Sequence, residues 1–256
     1  MTTREELRGY IDQLLDCGIY DDFTVNGLQI EGRDEIRRIV TGVSPSRRLF
    51  AAAFRWKADA VIVHHGLFWK RSTPHPLVLT GVLRDRVADI LKRDVNFFAY
   101  HLPLDGDTDF GNNALIGRAL GLEDLRIIPE SGYRSPLIAL GNLPVALSYE
   151  EFCKVADQTL GKKGKRLRFS SKPISTVAIV TGAGSDCWQD AVMNGADVLI
   201  TGEIHESSVR EAEEAGICLY GGGHYNTEKW GVRALGEHLA VKFDLEVKFV
   251  DVPNPM

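Results

Sequence analysis

The sequence predicts an α/β fold built from two similar α/β/α units whose sheets are mostly parallel. Short apolar strands alternate with helical patterns of about ten or more residues, which is typical of parallel sheets covered by helices. Parts of the first half also recur in the second. Ile39–Gly42 (IVTG) is repeated as Ile179–Gly182, and Ala58–His65 (ADAVIVHH) is followed at similar spacing by Ala196–Glu203 (ADVLITGE). The fold is therefore predicted to be a duplication.

The elements of the first half follow from capping residues and apolar spacing. Thr3 and Glu6 form a capping-box pattern at the start of the first helix. The uninterrupted apolar run at 60–63 is typical of a strand covered on both faces. The remaining elements predicted here are strands at 36–43 and 95–100 and helices at 46–56, 77–93 and 112–120.

The second half opens less regularly, with one or two strands predicted between 127 and 144. Ser148 and Glu151 form another capping-box pattern before a helix that ends near Leu160. The elements predicted after it are strands at 166–170, 176–181, 198–201, 217–220 and 245–252 and helices at 187–194, 207–215 and 225–241. We therefore divide the sequence into a first unit, 1–125, and a second unit, 126–256.

The composition excludes several classes of protein. A chain of 256 residues that is 44% hydrophobic and 25% charged has the balance of a soluble globular protein with room for two domains. No apolar run approaches the roughly 18 residues of a membrane span, and the start has no signal-peptide core. The net charge of -5 does not favour nucleic acid, and the four scattered cysteines predict no disulfide framework. We expect a cytoplasmic protein.

Histidines are concentrated where an α/β fold gathers its ligands. Five of the seven lie at or just beyond predicted strand ends: His64, His65, His101, His205 and His224. Side chains of neighbouring strand residues point to opposite faces, but Gly66 allows the chain to turn after His64 and His65, so that both rings can reach one pocket. The alternative for this dipeptide is a pair held by local hydrogen bonds at the surface.

Two further pairs join a histidine to a carboxylate four residues later, His101 with Asp105 and His224 with Glu228. Pro103 predicts a rigid loop for the first pair, whereas the second straddles a helix start where such residues share a face. Either pair alone is more often a surface contact. Their matched positions in the two repeats predict a shared metal site. Imidazole and carboxylate without thiolate suit zinc, iron or manganese, and two such metals could activate water near neutral pH.

Motifs along nearly the whole chain resemble those of the Nif-three-like family, whose members are often labelled GTP cyclohydrolase type 2 homologues. They are Val25–Gln29 (VNGLQ), Val63–Gly66 (VHHG), His101–Asp105 (HLPLD), Gly111–Asn113 (GNN), Thr201–Glu203 (TGE) and Gly223–Glu228 (GHYNTE). The resemblance implies a duplicated α/β fold whose terminal strands exchange between halves, and a ring-shaped homohexamer. It also implies two divalent metal ions per subunit, held by His64, His65, Asp105, His224 and Glu228.

The resemblance leaves His101 outside the usual ligands, so we predict that His101 acts as a general acid or base or orients a ligand. Glu203, the repeat counterpart of His65, is predicted to lie beside the metals and to move protons. The implied function is a metal-dependent hydrolase of a nucleotide or related phosphorylated small molecule. The family label points to a GTP cyclohydrolase activity that opens the imidazole ring of GTP. The alternative is a non-catalytic metal-binding or regulatory scaffold.

Two other patterns favour ordinary turns. The basic cluster Lys162–Arg168 could meet the phosphates of a nucleic acid, but a solvated turn is the interpretation that agrees with the negative net charge. Gly182–Ser185 (GAGS) follows a predicted strand yet completes neither a phosphate-binding loop nor a dinucleotide fingerprint, so it is interpreted as a plain turn.

Overall fold

The computed structural model describes residues 1–70, 78–132 and 135–255, which form two compact units. The first unit comprises Met1–Leu104 and Gly231–Val252, and the second comprises Asp105–Trp230 and Pro253–Met256. The predicted division between residues 125 and 126 follows the internal sequence repeat and stays a prediction. No helix within the described ranges has the length and apolar character that a bilayer crossing requires.

Within its described residues, the first unit contains a five-stranded sheet. Its elements are β1 (Thr2–Thr3), α1 (Arg4–Leu14), β2 (Gly27–Ile30), β3 (Glu35–Ile36), β4 (Arg38–Gly42), α2 (Arg47–Arg55), β5 (Ala60–Val63), α3 (Gly81–Leu91), β6 (Asn96–Ala99) and the start of α4 (Leu102–Gly106). The strand order is β13-β4-β5-β6-β2, where β13 is the C-terminal strand Glu246–Phe249. All neighbours in this sheet are parallel except β2 and β6. The predicted exchange of the C-terminal strand is confirmed, because β13 pairs with β4.

Both faces of the first sheet are buried, which explains the uninterrupted apolar strands. On one face, Val40, Val61 and Phe97 pack in a cluster with residues of α2 and α3 such as Phe50 and Ile90. Side chains that point to the other face of the sheet are buried as well, namely those of Ile39, Ile62 and Phe98. Because a strand covered on both faces needs apolar residues at every position, the run Ala60–Val63 could be identified from sequence.

The described part of the second unit contains a six-stranded sheet in the order β7-β8-β10-β11-β12-β9. Its elements are α5 (Asn112–Ala119), β7 (Glu123–Pro129), β8 (Pro136–Leu147), α6 (Tyr149–Leu160), β9 (Lys165–Leu167), β10 (Ile174–Val180), α7 (Trp188–Met193), β11 (Val198–Thr201), α8 (Glu206–Ala215), β12 (Cys218–Gly221) and α9 (His224–Phe243). The central strands β10, β11 and β12 are parallel, and the flanking strands pair antiparallel. Helix α9 begins in the second unit and ends in the first.

Side-chain alternation along the central strands produces two separate cores in this unit. Val177, Ile179 and Ile200 face a cluster that includes Phe152 of α6, whereas Ala178 and Leu199 face one that includes residues of α7 and α8. Helices therefore cover both faces, as predicted for an α/β/α unit.

The structure corrects the sequence interpretation near Pro103. We predicted a rigid loop between His101 and Asp105, but Leu102–Gly106 forms the short helix α4. Pro103 lies in the first turn of this helix, where a backbone N–H has no intrahelical acceptor, so the missing donor is tolerated. Strands β1, β2 and β3 were not predicted, and α3 begins at Gly81 instead of at Leu77, which lies outside the described residues.

Asp157 of α6 provides a pH-dependent contribution to stability. Its carboxylate accepts hydrogen bonds from the Gly164 N–H (3.0 Å), the Tyr220 hydroxyl (2.8 Å) and the Arg166 guanidinium. Burial raises the pKa of Asp157, but these donors outweigh burial and hold the pKa below its ordinary value of 3.8. We expect Asp157→Asn to lower the free energy of unfolding by about 2 kcal/mol at pH 7.

The sign of the pH dependence follows from the depressed pKa. Stability from ionised Asp157 is present above the unfolded-state pKa near 4 and is lost as pH falls through the lower folded-state value. Urea unfolding of the wild type and Asp157→Asn should therefore differ at pH 7 and converge as the pH falls below the folded-state pKa of Asp157. The exposed Asp109 serves as a control, since Asp109→Asn should change little at either pH. A constant difference for Asp157→Asn across this range would contradict the expectation.

Candidate metal-binding site

Three histidines of the first unit come together beyond the carboxyl ends of β5 and β6. These strands are parallel neighbours with Val63 opposite Ala99, so the residues that follow them lie at the same edge of the sheet. The backbone N–H groups of His64 and His65 both donate to the Val43 carbonyl, at 3.1 and 2.9 Å. Ring centroids are 4.9 Å apart for His64 and His65 and 5.0 Å apart for His64 and His101. The predicted convergence of His64 and His65 is therefore observed, and His101 joins them.

Each of the three imidazoles is oriented through its Nδ1 atom. His64 Nδ1 lies 3.1 Å from the Tyr100 carbonyl oxygen, and His101 Nδ1 lies 2.8 Å from a carboxylate oxygen of Asp22. Because a carbonyl and a carboxylate can only accept, both Nδ1 atoms carry the proton, and the lone pair is on Nε2. His65 Nδ1 lies 2.8 Å from the Ser44 hydroxyl. A hydrogen bond at Nδ1 is characteristic of histidines that bind a metal through Nε2.

Among the residues that hydrogen-bond to these imidazoles, Asp22 is held by the largest number of hydrogen bonds within the described ranges. Its side chain is about 1% exposed and accepts hydrogen bonds from His101 Nδ1, the Thr24 and Leu102 N–H groups and the Asn26 side-chain amide. Burial raises the pKa of Asp22, but the hydrogen bond with His101 and those from Asn26 and the Leu102 N–H lower it to about 2. Asp22 is therefore an anion at neutral pH. No sequence pattern had assigned it a role, although it lies just before the VNGLQ motif.

In the second unit, a histidine and a carboxylate meet in the first turn of α9. His224 Nε2 lies 3.1 Å from Glu228 Oε2, and His224 Nδ1 lies 2.7 Å from Glu203 Oε1. The hydrogen bond to Glu228 raises the pKa of His224, and burial lowers it. The hydrogen bond to Glu203 raises it further, and the resulting pKa is about 9. The structure thus places Glu203 as the partner that orients His224. A metal bound at Nε2 must displace the proton there.

Asp105, the first residue of the second unit, is held by Asn112 and Thr181. Its Oδ1 atom accepts hydrogen bonds from the Asn112 side-chain amide at 2.8 Å and the Thr181 hydroxyl at 3.0 Å. Asn113 in turn accepts the Thr181 N–H at 2.8 Å. The GNN motif therefore positions a carboxylate, which explains why two polar residues are fully buried at the start of α5.

Gly182 provides the space for the carboxylate of Glu228. A Cβ atom at this position would lie 2.2 Å from Glu228 Oε1 and 3.4 Å from His224 Nε2. The backbone there has φ +64°, which glycine adopts without the steric cost that other residues incur. We interpreted Gly182–Ser185 as a plain turn, so the role of Gly182 was not predicted. Its repeat counterpart Gly42 gave no signal, because a Cβ atom there would meet the Leu49 side chain instead of a carboxylate.

Both units contain groups whose chemistry fits a divalent metal. One ring nitrogen of each of His64, His65 and His101 lies within 4.8 Å of the others. The second unit offers Asp105, His224 and Glu228, and imidazole with carboxylate donors suits zinc, iron or manganese. His205, the fifth histidine at a strand end, instead lies 3.5 Å from Asp186. The assignment of five residues as ligands of one dinuclear centre stays a prediction.

Comparison with known proteins identifies the family. A family model described as Duf34/NIF3 (NGG1p interacting factor 3) matches residues 2–255. The chain is 38% identical to proteins of Yersinia pestis and Escherichia coli K12, over 254 and 251 residues and 98% of each chain. Both are named GTP cyclohydrolase 1 type 2 homolog.

Solved structures agree with this result. The protein ybgI, described as of unknown function, has a TM-score of 0.91 and 37% identity, with all of both chains covered. TTHA1606 from Thermus thermophilus has a TM-score of 0.88 and 31% identity, again with full coverage of both. The resemblance drawn from the motifs is confirmed. From the match over 254 of its 256 residues and from relatives above 30% identity, this chain belongs to the DUF34/NIF3 family.

Proposed function

We propose that the protein is a metal-dependent hydrolase that acts on a nucleotide or a related phosphorylated small molecule. In this proposal His64, His65, Asp105, His224 and Glu228 hold two divalent ions, as the family resemblance implies. The observation that supports the proposal is that each of these histidines is held in orientation by a hydrogen bond between its Nδ1 atom and an oxygen of another residue. Side chains that only fill space or contact solvent do not need such ordering.

The bound metals would supply a Lewis acid and a water of lowered pKa. The chain's own residues have the complementary tasks of holding the donors and moving protons. Glu203 orients His224, and Asn112 with Thr181 orients Asp105. Asp22 keeps the Nε2 lone pair of His101 available, either for proton transfer or for metal binding.

The choice of substrate rests on the names of the relatives, which are GTP cyclohydrolase 1 type 2 homologs. We therefore propose GTP as the first substrate to assay, with opening of its imidazole ring as the reaction. A homohexamer located in the cytoplasm, as the resemblance and composition imply, belongs to the same proposal.

Glu228→Gln tests the proposal directly. The substitution preserves the size of a side chain that is about 3% exposed but removes its negative charge. We expect the metal content per chain to fall and GTP turnover to drop by at least about 100-fold, because a charged ligand is lost. Elemental analysis and a GTP turnover assay measure the two effects. Glu237→Gln, on the exposed side of the same helix, is the control and should change neither.

Full GTP turnover in Glu228→Gln would contradict the mechanism. The second candidate function is a metal-binding or regulatory scaffold, and one observation favours it. Each ionisable side chain in the described clusters either is a potential metal donor or is hydrogen-bonded to one. These clusters therefore contain no nucleophile that is separate from the metal donors and their hydrogen-bond partners. Wild-type protein that retains its metals but turns over no member of a nucleotide, phosphodiester and peptide panel would support the scaffold.

A further inference from the structure

We propose that the groove between α2 and α3 binds the polyphosphate chain of a small molecule, such as inorganic tripolyphosphate or a nucleoside triphosphate. The groove has a volume of about 650 Å³, which is within the range of small-molecule sites. It is lined by Arg47, Arg55 and Arg93, by Asp89 and by an apolar floor. None of the lining residues is a candidate metal donor, so the inference goes beyond the proposed function and does not rest on it.

Helices α2 and α3 carry a surplus of positive charge. Residues 46–57 include four basic side chains and no acidic one, and residues 81–93 include four basic and two acidic side chains. The two segments together therefore have a net charge of +6, although the whole chain has -5 and the remainder has -11. A concentration of one sign of charge in a groove raises the local concentration of ligands of the opposite sign, so this groove selects a multivalent anion.

The two carboxylates of α3 do not neutralise the arginines of the groove. Asp85 lies 2.8 Å from Arg47 but is shared with a second arginine of α3 at 3.0 Å, and Asp89 lies 3.5 Å from Arg93. Arg55 forms no ion pair with any carboxylate in the described part of the chain. The side chains of Arg47 and Arg93 are still 67% and 47% exposed, so their remaining N–H groups are accessible to a ligand.

The start of α2 is an unfavourable position for two cations. Arg47 and Arg48 are the first two residues of this helix, and its first turn contains no acidic side chain. Because the N-terminal end of a helix carries a partial positive charge, basic side chains there destabilise the helix, whereas Arg55 in the last turn stabilises it. Helix stability therefore does not explain Arg47 and Arg48. Local preferences are usually broken in this way at functional sites.

Arg93 is held in position against the floor of the groove. Its guanidinium carbon lies 4.3 Å from the centre of the Phe54 ring, and its Nη1 atom donates to the Asp89 carbonyl oxygen at 3.1 Å. Phe54 stacks in turn on the buried Phe50, with ring centroids 6.1 Å apart. Ala51 is exposed beside them, and its short side chain leaves space for a ligand. A cation that is ordered before binding loses less conformational entropy when the ligand arrives.

The cations that line the groove are all arginines, which suits phosphate. A guanidinium presents its N–H donors in a planar fork that binds two oxygens of one phosphate group. Arg47 and Arg55 are eight residues apart, or about 12 Å along the axis of α2, so a chain of linked phosphates can be contacted by both. The aromatic rings of the floor are buried or lie beneath Arg93, and we therefore expect the phosphate chain to be recognised instead of a nucleobase.

Isothermal titration with tripolyphosphate in the presence of a chelator tests the groove without any contribution from a bound metal. Arg47→Gln/Arg55→Gln should weaken binding by at least about 10-fold, because charge-assisted hydrogen bonds to phosphate are lost. Arg210→Gln/Arg233→Gln is the matched control, since it removes the same charge from side chains of α8 and α9 that are 78% and 66% exposed. The control should change the affinity less than about 2-fold. Thermal unfolding of each variant checks that the fold is retained.

Ala51→Glu tests the groove without removing an arginine. The substitution places a carboxylate at an exposed helical position among the cations, so we expect binding to weaken by at least about 10-fold. Val241→Glu adds the same charge at a position that is 87% exposed and should leave the affinity unchanged. Raising the salt concentration from about 50 to about 200 mM should weaken binding to the wild type, because exposed charges are screened.

Titration with ATP identifies the source of the phosphate chain. Equal affinity for ATP and tripolyphosphate supports recognition of the chain alone, and tighter binding of ATP supports a nucleoside triphosphate as the ligand. Tripolyphosphate that does not bind the wild type, or that binds Arg47→Gln/Arg55→Gln equally well, would overturn the proposal. So would a polyglutamate peptide or a single-stranded oligonucleotide that needs these arginines when tripolyphosphate does not bind. Absence of GTP turnover in the wild type counts against the hydrolase alone, since binding in chelator is measured independently.

Discussion

Gly182→Ala is expected to weaken metal binding at the start of α9 while leaving the fold intact. The added methyl group would lie 2.2 Å from Glu228 Oε1, which is the end of a flexible side chain and therefore the group that moves. The φ of +64° adds a cost of about 1 kcal/mol for alanine, which is small beside the stability of a domain. We expect metal affinity to fall on the order of 100-fold, because a ligand is displaced.

Gly195→Ala is the matched control for this substitution. Gly195 has φ +76°, close to that of Gly182, but no atom lies within 4 Å of the position a Cβ would take. Both variants therefore carry similar backbone strain, and only Gly182→Ala obstructs Glu228. Isothermal titration with Zn²⁺ and thermal unfolding in chelator separate the two effects. Equal metal affinity in the two variants would show that Glu228 is not positioned by the space at Gly182.

Gly111→Ala is expected to have the largest effect on stability. A Cβ at this position would lie 2.1 Å from the Asp107 carbonyl oxygen and 2.7 Å from the Asp105 carbonyl oxygen. Both obstacles are backbone atoms, so the loop must rearrange, and overpacking of this kind costs about 3 kcal/mol. Thermal unfolding in chelator should show a decrease in Tm of roughly 10 °C.

The rearrangement should also disturb the metal donors of the second unit. Asn112, the next residue, holds Asp105 by a 2.8 Å hydrogen bond, so metal affinity should fall together with stability. Gly9→Ala in α1 is the control, because nothing lies within 4 Å of its Cβ position and alanine favours the helix by about 1 kcal/mol. A Gly111→Ala protein as stable as wild type would contradict the steric argument.

Local patterns predicted most of the secondary structure. The capping boxes at Thr3 and Ser148 are present with both reciprocal hydrogen bonds, and the strand at 60–63 has the predicted bounds. These predictions succeeded because capping and apolar periodicity act over a few residues. The interpretation of Pro103 was wrong, since a proline that breaks the interior of a helix is tolerated in its first turn. Strand β2 was not recognised because its burial depends on pairing with β6.

The amino-acid sequence alone establishes the α/β class, the duplication and the chemical types of the candidate metal donors at the strand ends. These properties follow from residue spacing and from motifs that are short and contiguous. Only the tertiary structure shows what orients the donors. Asp22 reaches His101 across 79 positions, Ser44 reaches His65 across 21, and Thr181 reaches Asp105 across 76. Such contacts depend on the pairing of distant strands and helices, for which no local pattern of residues provides a signal.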